Sequence, residues 1–201
     1  MTALVGVGVL TTVGWLAVDR RTASPAVPVV NRGTLASSPP QAGRRAPAAR
    51  TVAHAATPDA DAKLVLDRLG VDARIVPVSA PHSVMQIPSD PQVVGWWRDG
   101  ATPGSGRGHV VIVGHINFYG RAGALAELPD VRPGDPVVVS DARTVRYRVT
   151  AVRTYPKTSG IPAAAFSPDG PEELVLITCG GPFNAHTGNY EDNIVAYADP
   201  A

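Results

Sequence analysis

Leu174-Val175-Leu176-Ile177-Thr178-Cys179-Gly180-Gly181 and Val110-Val111-Ile112-Val113-Gly114-His115 are the two stretches whose reading decides the fold. Each is an apolar, β-branched run that ends in a reactive side chain beside glycine, where a sheet can present a side chain at its rim instead of burying it. Outward from these runs, Leu64 to Leu66, Ala73 to Val78 and Val84 to Pro88 read as strands on the N-terminal side. Val137 to Val139, Thr144 to Val152 and Asn193 to Tyr197 read as strands beyond. Gly70, the run Thr102-Pro103-Gly104-Ser105-Gly106 and Val131-Arg132-Pro133-Gly134-Asp135 supply the turns, and Arg121 to Leu128 is expected to form one or two helical turns. About eight short strands with almost no helix predict an all-β fold closed, or nearly closed, into a barrel.

The chain divides by composition. Residues 2–18 carry no charge and would span about 26 Å as a helix, a marginal membrane crossing, so 1–21 reads as a signal anchor or a signal peptide. Arg20 and Arg21 lie on the flank opposite to the one that the positive-inside rule favours for an exported C-terminus, which basic residues ahead of Met1 would reconcile. Residues 22–62 are rich in Pro, Ala and Arg with few large apolar side chains, a composition expected to form a disordered tether. A folded domain is expected from 63 to 198. The formal net charge of +1 is uneven, because residues 1–60 hold six Arg against two Asp, while residues 61–201 hold twelve Lys/Arg against fifteen Asp/Glu. A mildly acidic domain lacks the clustered cations that nucleic-acid binding needs, and nucleic acid is excluded as a partner.

Cys179 is the single cysteine, so no intrachain disulfide can form. A lone thiol is either a small buried hydrophobe or a nucleophile. As a nucleophile it must ionise from a free pKa of about 8.5, and an imidazole at the end of a neighbouring strand would supply both the base and the cation. Gly180 and Gly181 leave room for a substrate backbone and for amide donors to an oxyanion, or else simply make a turn. No metal site is expected: His109 and His115 share a strand face but stand about 20 Å apart, and His54, His82 and His186 lack ligand spacing. His109 reads as a structural or a surface histidine. Trp96-Trp97 reads either as a platform beside a groove or as a lid on the core.

Five motifs then carry a resemblance. Gly95-Trp96-Trp97-Arg98-Asp99-Gly100-Ala101-Thr102-Pro103-Gly104, Val113-Gly114-His115, Arg132-Pro133-Gly134-Asp135, Thr178-Cys179-Gly180-Gly181 and Tyr190-Glu191-Asp192-Asn193-Ile194-Val195-Ala196-Tyr197-Ala198 stand in an order and at intervals that resemble class F sortases of Gram-positive actinobacteria. The resemblance covers 63 to 198 and implies an eight-stranded sortase barrel with cysteine transpeptidase activity. By the same resemblance Cys179 would attack an LPXTG-like sorting signal of a secreted protein, and a cell-wall precursor amine or water would resolve the thioester. His115 would be the acid and then the base. No cofactor is implied, and the location would be the outer face of the cell membrane, held there by the N-terminal segment.

One departure matters. Sortases usually carry an arginine on the last strand, a dozen or so residues after the cysteine, yet no Lys or Arg follows Lys157 here, and that region offers Glu191, Asp192 and Asn193. Arg98 and Asn193 are the candidates for positioning substrate and oxyanion, unless Arg98 merely pairs with Asp99 and Asn193 merely bonds a turn. Asn117 would either orient His115 or cap the following turn. Two rival readings are a sortase-like barrel that binds peptide without catalysis, and an L,D-transpeptidase-type acyl transferase, whose motif around the cysteine Ile177-Thr178-Cys179-Gly180 does not resemble.

Overall fold

The computed structural model describes residues 29–35 and 57–201. Its strands are β1 (Arg32–Gly33), β2 (Lys63–Leu66), β3 (Val71–Val78), β4 (Val93–Trp97), β5 (His109–Val113), β6 (Asn117–Phe118), β7 (Arg121–Ala122), β8 (Pro136–Ser140), β9 (Thr144–Pro156), β10 (Glu173–Asn184) and β11 (Asn189–Pro200). The order β9-β11-β10-β5-β4-β3-β2-β8 returns on itself because β8 also pairs with β9, so eight strands close into a barrel. β6 and β7 form a separate small hairpin.

The central strands β5, β10 and β11 are apolar on both faces, and the alternation of their side chains sorts them into two cores. Ile112, Leu174, Leu176 and Ile194 point into the barrel with Leu64 and Leu66. Val111, Val113, Val175, Ile177 and Val195 point outward, where the 3₁₀ turn Ala163–Phe166 and Trp97 cover them. Burial on both faces is what a parallel pair requires, and β5 and β10 are parallel. Each such aliphatic side chain contributes about 1.5–3 kcal/mol by leaving water. Trp96 belongs to the inner core, with its indole N–H donated to the Ala101 carbonyl, and Trp97 packs edge-on against Phe166. The pair therefore serves both cores.

Three expectations are corrected. Val84 to Pro88 is not a strand: β3 and β4 are parallel neighbours, so the chain between them must cross over outside the sheet. The 3₁₀ turn Pro81–Ser83, left-handed at His82 and Ser83, starts that crossing. Arg121 to Leu128 is not a helical run either: turns at 124–127 lead into a single 3₁₀ turn, Leu128–Asp130. The segment opens with β7, turning back on β6 through Tyr119 and Gly120, both at positive φ. A Cβ on Gly123 would stand 2.0 Å from the His115 carbonyl oxygen, so the hairpin backbone packs directly on the segment carrying His115.

The tether, too, is partly ordered against the domain. Residues 29–35 extend the sheet, with Arg32 opposite Val152 and Gly33 opposite Ala151. Val30 is buried, and the Arg32 guanidinium donates to the carbonyls of Pro129 (2.8 Å) and Val131 (3.2 Å). The upper half of β9 has an edge that β8 does not reach, and backbone pairing along a free edge depends little on side-chain composition. Asp59 and Ala62 are also tied to the domain, through Asp141 and by burial. The predicted membrane segment 1–21 and the rest of the predicted tether, 22–28 and 36–56, lie outside the described residues.

Candidate active site

β5 and β10 run in parallel at a constant offset: Glu173 lies beside His109, Val175 beside Val111, and Ile177 beside Val113. The same offset carried two residues further sets Cys179 level with His115. The chain keeps that register past the end of β5, because the Gly114 N–H donates to the Ile177 carbonyl (3.0 Å) and the buried Thr178 hydroxyl donates to the Gly114 carbonyl (3.0 Å). Alternation places Val113 and His115, like Ile177 and Cys179, on the outer face. Cys179 and His115 accordingly line one cleft of about 760 Å³ on the outside of the barrel.

Cys179 is a free, half-buried thiol. His115 Nε2 lies 2.9 Å from the Pro88 carbonyl oxygen. A carbonyl only accepts, so Nε2 carries a proton and Nδ1 is the nitrogen left to exchange one. The ring is stacked at 31° on Phe118, centroids 4.6 Å apart. The crossover segment that sequence assigned to a strand thus supplies the group that fixes the imidazole.

Asn193 stands directly opposite Cys179 across the antiparallel β10–β11 pair and lines the same cleft. Arg98 does not join them. It follows β4, its N–H donates to the Val78 carbonyl, and its side chain lines a separate pocket of about 560 Å³ with Gln86 and Pro88. Asn117 donates to the Tyr190 hydroxyl and not to His115. Gly180 and Gly181 sit at a register shift in β10, and a Cβ on Gly181 would lie 2.1 Å from the Asp192 carboxylate, so close packing and a φ of 73° require glycine there.

Sequence reasoning passed over one residue of this cleft. Lys157 Nζ lies 3.4 Å from Cys179 Sγ and 2.7 Å from Asn189 Oδ1. Its signal in the sequence was its place as the last basic residue of the chain, just after a long strand. Thr178, which locks the two strand ends together, was likewise quoted only as part of a motif.

A thiol, an imidazole with one exchangeable nitrogen and an ammonium group thus face one open, largely apolar cleft, an arrangement suited to acyl transfer through sulfur. The family model described as Sortase domain matches residues 64–201. Among solved structures, the chain is similar to a lid mutant of sortase A from Corynebacterium diphtheriae, at 19% identity and a TM-score of 0.54, covering 73% of this chain and 72% of that one. It is also similar to sortase C-1 from Actinomyces oris, at 18% identity and a TM-score of 0.55, covering 70% and 73%. The third is sortase C2 of pilus island 1 from Group B Streptococcus, at 15% identity and a TM-score of 0.55, again covering 70% and 73%. At these identities the structures speak to the fold alone. Comparison by sequence with curated proteins found no match. With the domain match running over more than half of its length and the barrel shared, this chain belongs to the sortase family of cysteine transpeptidases.

Proposed function

We propose that Cys179 and His115 are the catalytic pair of a class F sortase acting on an LPXTG-like sorting signal. The observation that carries this reading is the common register of β5 and β10, which puts thiol and imidazole level in one cleft. The Cys179 thiolate attacks the carbonyl carbon of the scissile Thr–Gly bond, and the carbonyl electron pair moves to oxygen. As that carbonyl re-forms, the C–N bond breaks and the His115 imidazolium gives its proton to the departing glycine amine. An incoming amine of a cell-wall precursor then attacks the thioester carbonyl, gives a proton to His115 and displaces sulfur as the thiolate, leaving a new amide and the thiolate–imidazolium pair. Asn193, opposite the cysteine, is positioned to donate its side-chain N–H to the substrate. The cleft is lined by Ile87, Ile161 and Phe166, which suits the apolar part of such a signal. The five ordered motifs support assignment to class F and with it a domain outside the cell, and the uncharged stretch 2–18 supports a membrane anchor.

Incubating the chain with LPXTG-type peptides and a glycine amine tests this. The wild type is expected to release the C-terminal fragment and form the amide, with a thioester trapped by hydroxylamine, and Cys179→Ala to do neither. Wild-type protein as inert as Cys179→Ala across a broad peptide panel would overturn the reading. Membrane association of full-length chain, lost on deleting residues 1–21, tests the location.

A further inference from the structure

The family's usual cation on the last strand has no counterpart here: Glu191 stands a dozen residues after Cys179, and its carboxylate accepts from the Asn184 amide. We infer that Lys157, at the end of the neighbouring strand β9, is a catalytic residue that supplies the missing positive charge directly at the Cys179 sulfur. The inference rests on the proposed role of Cys179 as nucleophile. Lys157 is the only lysine or arginine among the described residues lining the cleft.

The fold delivers it in a definite way. β9 and β10 both flank β11, where Asn193 pairs with Tyr155 on one side and with Cys179 on the other. At Pro156 the strand ends, the Lys157 N–H is held by the Glu191 carbonyl (2.8 Å), and the chain turns back through Ser159 and Gly160. From there the four-carbon side chain crosses the end of β11. Asn189 Oδ1 accepts one ammonium hydrogen at 2.7 Å, which directs Nζ to within 3.4 Å of Sγ. Lys157 is half-buried, so its charge is screened less than that of a free surface lysine. An ammonium ion is a compact point charge with no forked geometry, which suits a single sulfur atom better than a planar carboxylate. Its work is to hold negative charge on sulfur before attack and again when the thioester collapses. No bond to Lys157 forms or breaks.

The decisive measurement is the rate of Cys179 alkylation by iodoacetamide near neutral pH, read alongside peptide turnover. Lys157→Met and Lys157→Gln, the second keeping a hydrogen bond to Asn189 without the charge, are each expected to slow alkylation by at least about tenfold. They should lower kcat in proportion, with KM changed by less than about twofold. Lys157→Arg, which restores the charge, is expected to stay within about threefold of wild type. A folded neutral variant alkylated as fast as wild type, a Lys157→Arg as slow as the neutral variants, or a loss confined to KM would each overturn the inference. If the wild type ignores every sorting peptide while alkylation still depends on the charge at 157, the substrate reading fails and the assignment of Lys157 stands.

Discussion

β5 and β10 bring a histidine beside an acid twice, once at each end, and the two ends differ in the charge that surrounds them. At the start of the pair, His109 Nε2 lies 3.5 Å from the Glu173 carboxylate, and six residues on, at the same offset, His115 lies level with Cys179. Both pairs sit on the outer face of the barrel. At the first end the acid meets burial and the charge of Asp199, which together push Glu173 up to about 7. At the second, the acid meets the ammonium of Lys157. Identical strand register thus sets one pair beside an acidic residue of β11 and the other beside a lysine just past β9, and in the proposed mechanism only the second is reactive.

The largest effect expected from breaking this comparison is on rate. His115→Ala should cut peptide turnover by about 10²- to 10⁴-fold, the range of a lost acid–base group, while His109→Ala should change it by less than about threefold per folded molecule. Equal losses in the two variants, measured by steady-state kinetics, would mean that the two ends are not functionally distinct.

Stability should behave in the reverse way. Next to Glu173, the buried Glu172 carboxylate accepts from the Gly104 and Gly106 N–H groups (2.8 and 2.6 Å) and from the Tyr147 hydroxyl (2.6 Å). Burial, followed by this bond, raises the Tyr147 pKa far above the ordinary phenol value, so the hydroxyl stays a donor throughout the working range. Removing one carboxylate strands three donors, and Glu172→Ala is expected to cost about 2–4 kcal/mol in chemical denaturation with little change in kcat. Thr178→Val tests the opposite end. Losing the hydroxyl that holds Gly114 should cost about 1 kcal/mol, and it should also lower kcat several-fold, because the same bond keeps His115 level with Cys179.

Stability should also depend on pH. Glu173 ionises near 4.5 in the unfolded chain but only near 7 in the fold, so between these values the native state holds the extra proton. Its contribution to stability is full below about 4.5 and declines as pH rises to about 7. Glu173→Gln should flatten that part of the melting-temperature profile; an unchanged slope would remove Glu173 as its source.

Much of this was legible in the chain itself. β-Branched runs such as Val110 to Val113 and Leu174 to Ile177 are strands because their side chains fit a pleated surface buried on both faces, and glycine beside His115 and Cys179 marks where each run meets the rim. The strand expected at Val84 to Pro88 was misplaced because local composition cannot reveal that β3 and β4 are parallel and need a crossover. The tether was drawn too long for a similar reason: pairing of Arg32 and Gly33 depends on an unfilled edge of β9, more than a hundred residues away in the sequence.

The sequence by itself determined seven of the eight barrel strands, the single thiol and the imidazole, since periodicity and glycine placement are local properties, but it missed β4 and put a strand at Val84 to Pro88 instead. Tertiary structure alone decided which groups surround the thiol and the imidazole. Arg98 was a reasonable cation by charge and motif, yet the path of the chain after β4 sends it to another pocket. Lys157 carried no motif, yet a turn at Pro156 and one hydrogen bond to Asn189 bring it to the sulfur. Charge acts through distance in space, and the distance between residues 157 and 179 is set by the pairing of three strands.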